Sequence, residues 1–67
     1  MRRGRAAKYE IYDDKLAEMV MYVLVKCKFE GYVTTKELVK LYGHSKEYIR
    51  EHVIEPLVKA GVLKKVD

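Results

Sequence analysis

No tryptophan, asparagine or glutamine occurs in the 67 residues, and there is one proline and one cysteine. A single thiol, Cys27, cannot close an internal disulfide, so a stapled secreted scaffold is excluded. Glycines 4, 31, 43 and 61 are isolated from one another, which leaves no glycine-rich loop to cradle a phosphate. No apolar run approaches the roughly 18–20 residues of a membrane span, and the basic start is not followed by the uncharged apolar stretch of a signal peptide. These absences point to a cytoplasmic, intracellular protein with no membrane partner. Loss of the thermolabile amides beside abundant Lys, Glu and Tyr is a hyperthermophile, archaeal-type habit. Size excludes more: a chain this short buries only about 60% of the surface of its unfolded form, enough for one small core. A two-domain nucleotide enzyme, a barrel or a fold with a deep substrate crevice does not fit.

What is present is globular in character, 49% hydrophobic and 36% charged, with a net charge of +4. That charge is unevenly placed. Residues 1–8 carry Arg2, Arg3, Arg5 and Lys8 and no acid, while residues 9–67 hold ten bases against ten acids. The expected organisation is therefore a basic flexible arm, 1–8, ahead of a formally neutral domain, 9–67.

Along that domain, Leu16, Met19, Val20, Val23, Leu24 and Cys27 recur at helical spacing, with Asp13 or Asp14 to cap the start and Gly31 to close the end. On the flank of the same helix Met21, Tyr22, Val25 and Phe29 form a second apolar stripe. This stripe either completes the domain's own core or is a protein interface, for a homodimer or a larger complex. Tyr32, Val33 and Thr34 make a short β-prone step. Thr34 followed by Glu37 is a capping box opening a second helix, with Leu38, Leu41 and Tyr42 on one side. After Gly43, Ser45 caps a third helix whose apolar positions are Ile49, Val53, Leu57 and Ala60. Gly61 ends it, and Val62 to Val66 alternates as a final strand.

The run Gly43-His44-Ser45-Lys46-Glu47-Tyr48-Ile49-Arg50-Glu51-His52-Val53 resembles the turn and recognition helix of the helix-turn-helix DNA-binding family. A turn glycine supplies a positive φ, and apolar residues four apart lock the two helices at a steep angle. With β-prone segments on both sides, the chain resembles the winged variety over residues 13–67. The resemblance implies a mostly α fold: a three-helix core with a minimal two-stranded β element, and no room for a full wing. Three positions depart from the family pattern. His44 stands where Val or Ile usually points inward. Pro56 removes the amide that would bond the His52 carbonyl, and the interval from Ile49 to Gly61 is one residue longer than is usual in the family. The last two predict a kink or π-type bulge near 52–56.

Two functions follow from the resemblance. In the first, a DNA-binding regulator or accessory factor places Arg50 on base edges and Ser45, Lys46 and Tyr48 on phosphates, with Tyr48 exposed. Arg2, Arg3 and Arg5 of the arm enter a minor groove or lie on phosphates, and Lys64 and Lys65 add a second contact. In the second, the domain docks other proteins within a transcription, replication or ribosomal complex, a use that the neutral body and truncated wing also suit. Tyr9 and Tyr12 are expected to pin the base of the arm to the first helix. Nothing points to catalysis, a cofactor or a small-molecule substrate: His44 and His52 lie too far apart for a zinc pair, and helix capping already accounts for Ser45.

Overall fold

The computed structural model describes residues 6–66. Residues 6–13 are exposed throughout, Tyr9 and Tyr12 included, so neither tyrosine pins the arm to the first helix. Helix α1, Asp14–Glu30, begins where the Asp13 side chain accepts the Leu16 N–H at 3.0 Å. Helix α2, Thr35–Tyr42, begins in the same way, with the Thr34 hydroxyl accepting the Glu37 N–H at 3.2 Å. A third helix then runs unbroken through Lys46–Ile49 in α geometry, Arg50–Ile54 in π geometry and Glu55–Lys59 in α geometry.

The π segment resolves the extra residue and the proline together. The Glu55 N–H donates five residues back to the Arg50 carbonyl, which takes up one more residue per turn than an α-helix does. Pro56, which has no N–H to give, then falls within the first turn of the α segment that follows, where a proline is tolerated. The bulge sits two residues ahead of the 52–56 interval that the spacing predicts.

The core is small and entirely apolar. Met19 and Val23 of α1, Leu38 of α2, and Ile49 and Val53 of the third helix are fully buried, each worth about 1.5–3 kcal/mol relative to exposure. Leu16, Val39, Tyr42, Leu57 and Leu63 pack around them. Three positions expected inside are not: Leu24, Leu41 and Ala60 are exposed. On α2 the inward direction lies between Leu38, Val39 and Tyr42, and Leu41, three positions after Leu38, falls on the uncovered flank.

The expected two-stranded β element does not form, which corrects the winged-helix-like class to a three-helix domain. Among the described residues there is no strand. The reason lies in where the backbone amides go. Gly61, at φ +82°, closes the third helix in a Schellman arrangement: the Gly61 N–H bonds the Val58 carbonyl at 3.0 Å and the Val62 N–H the Leu57 carbonyl at 2.9 Å. The Leu63 N–H goes to the same Leu57 carbonyl at 3.2 Å. The amides that would start the last strand are already bonded, and the few residues left cannot hold a ribbon against the short link 32–34.

Candidate nucleic-acid interface

The junction between α2 and the third helix is built by three residues. Gly43 takes the left-handed conformation at φ +75° and its N–H bonds the Val39 carbonyl at 2.9 Å, which stops α2 and turns the chain. His44 follows, half-buried. Ser45 then caps the third helix, its Oγ accepting the Tyr48 N–H at 3.1 Å, while its own O–H stays exposed and able to donate to a ligand.

This turn brings two basic residues from different helices together. Thr35, Lys36 and Val39 of α2 and Lys46 of the third helix line one shallow concavity, with both lysines exposed around an apolar floor. Arg50, four positions after Lys46 and also exposed, continues the basic flank by one turn. Ser45, Lys46 and Arg50 were expected in such a site. Lys36 was not, although its place in the first turn of a capped helix leading into the turn was the available signal.

The rest of the third helix is divided by face. Glu47, Glu51 and Glu55, again four apart, are exposed. On the other flank Tyr48 is half-buried, not exposed as expected. Its ring is stacked on His44 at 4.2 Å and 19°, tilts against His52 at 4.5 Å, and packs against the core. His44 is thus half-buried with its ring against Tyr48. Tyr48 is drawn into the aromatic row and away from the lysine flank.

A polar clamp fixes α2 to α1 behind the basic flank. The Tyr22 hydroxyl donates to Glu37 Oε2, and Lys26 Nζ lies 3.0 Å from the same oxygen and 3.2 Å from Glu30 Oε1. Glu37 therefore completes only half of its capping box, its carboxylate reaching across to α1 rather than back to Thr34. The Tyr22 hydrogen bond and then Lys26 hold the Glu37 carboxyl below its ordinary range. The same carboxylate pushes the Tyr22 phenol up and raises Lys26. Tyr22 also meets Tyr42 edge-on at 6.2 Å. It is thus half-buried in intramolecular contacts, whereas Met21, Val25 and Phe29, the other members of its stripe, are 63%, 53% and 77% exposed.

Lys64 and Lys65 lie in the exposed tail after Leu63. Arg2, Arg3 and Arg5 lie outside the described residues. Among the described residues, no three His, Cys, Asp or Glu side chains are grouped to hold a metal ion, and no helix is long and apolar enough to cross a membrane. Comparison with protein-family models, curated proteins and solved structures finds no match.

Proposed function

We propose that the protein binds duplex DNA through the flank shared by α2 and the third helix, as a small helix-turn-helix regulator or accessory factor. The observation that carries this reading is the concavity in which Lys36 and Lys46 converge from two helices, with Arg50 one turn on. Cations presented from two helices by one turn suit phosphate contacts, and release of condensed counterions supplies most of the affinity. The acids set the direction of approach. Glu47, Glu51 and Glu55 would repel the backbone, so the duplex is met by the lysine flank, with Arg50 the residue best placed to reach a base edge. Arg2, Arg3 and Arg5 add basic charge from the amino-terminal segment.

Fluorescence anisotropy with a labelled duplex at low salt tests the reading on three chains. Intact protein binds; Lys36→Glu/Lys46→Glu binds at least several-fold more weakly; the chain lacking residues 1–8 retains a measurable part of the affinity. Absence of duplex binding by intact protein at low salt refutes it. Docking within a nucleic-acid-handling complex is the second reading, favoured by the exposed Met21, Val25 and Phe29.

A further inference from the structure

The outward face of α1 carries a projecting aromatic and a depression at opposite ends. Phe29 stands 77% exposed near the carboxy-terminal end. Near the amino-terminal end is a shallow, mainly apolar depression whose apolar walls are Ile11, Ala17 and Met21, rimmed by Asp14, Lys15 and Glu18. Between them Met21 and Val25 are exposed at helical spacing, and Lys28 borders the face beside Phe29. We propose that this face pairs with a second copy of the chain, α1 against α1, antiparallel about a two-fold axis at the level of Val23.

A second copy fits this face better than some other partner because the face complements itself. A two-fold axis places the same surface on both sides, so each feature must meet its opposite. In antiparallel register about Val23, Met21 faces Val25 of the other copy, and Glu18 faces Lys28 twice by symmetry. Phe29 of each chain then lies over the depression of the other. Apolar residues meet apolar ones and opposite charges meet at the rim, the usual arrangement of an interface. A parallel pairing sets Glu18 beside Glu18 and Lys28 beside Lys28 and leaves both depressions empty. Tyr22, held inside the protomer by Glu37 and Tyr42, takes no part.

Sedimentation equilibrium of the full chain without DNA, from micromolar to millimolar concentration, tests the proposal separately from DNA binding. Wild type is expected to show a reversible monomer–dimer equilibrium and Phe29→Glu to remain monomeric. Glu18→Lys and Lys28→Glu, each creating two like-charge contacts, should each weaken the dimer by about tenfold. Combining them should restore it to near wild type. All three positions are exposed, and unchanged circular dichroism checks the fold of each variant. A wild-type chain that is monomeric at millimolar concentration overturns the proposal. So do single charge reversals without effect, or a double reversal no tighter than the singles.

Discussion

The Tyr22 hydroxyl and the Lys26 ammonium of α1 share one carboxylate oxygen of Glu37 at the start of α2. This clamp joins the longest helix to the one that carries Lys36, while the Gly43 turn carries the chain on to Lys46.

The clamp gives stability a pH signature. The Glu37 carboxyl titrates below its ordinary 4.5 in the folded protein, so its contribution is present above that value and is lost as pH falls through the folded one. Tyr22 and Lys26 are raised above 10.0 and 10.5; their contributions are complete below those values and are lost as pH rises through the folded ones. Thermal midpoints of wild type and Glu37→Gln should therefore differ by a constant amount at intermediate pH and converge in acid. Parallel curves through the acid limb contradict the clamp.

Two leucines on α2, three residues apart, should respond very differently to truncation. Leu38 is fully buried and Leu41 is 56% exposed. Leu38→Ala is expected to cost about 2–5 kcal/mol and Leu41→Ala about 0.5 kcal/mol or less, both read from urea unfolding. Equal losses would place the inward face of α2 elsewhere.

At Gly61 an added Cβ meets nothing within 4 Å, yet φ is +82°. The cost of Gly61→Ala is therefore that of the left-handed backbone alone, about 1–2 kcal/mol, and Asn, which tolerates this region, should recover part of it. No loss in Gly61→Ala by denaturant titration contradicts a left-handed helix end at Gly61.

Local chemistry made the helices legible from residues alone. Asp13, Thr34 and Ser45 cap them through their own side chains, and Gly31 and Gly43 stop them. The one-residue excess between Ile49 and Gly61 even announces the π segment. What depends on spatial neighbours was not legible. Whether Leu41 or Val39 faces inward is decided by where the third helix lies. Tyr22 reads as part of an apolar stripe until Glu37 is found beside it, and Tyr48 reads as exposed until two histidines flank it. The β element failed because a periodic pattern does not show that the amides of Val62 and Leu63 are already bonded to Leu57. In the candidate site, Ser45, Lys46 and Arg50 followed from the motif, while Lys36 required knowing the fold of the turn.

The central claim, that the lysine flank binds DNA, is tested most directly by the salt dependence of duplex affinity in intact protein and in Lys46→Ala. Each phosphate contact contributes about −0.9 to the slope of log affinity against log salt. A steep slope is expected for the intact chain and one shallower by about 1 in Lys46→Ala, with uniform weakening across unrelated sequences. A slope unchanged by Lys46→Ala, or one carried entirely by residues 1–8, would contradict it.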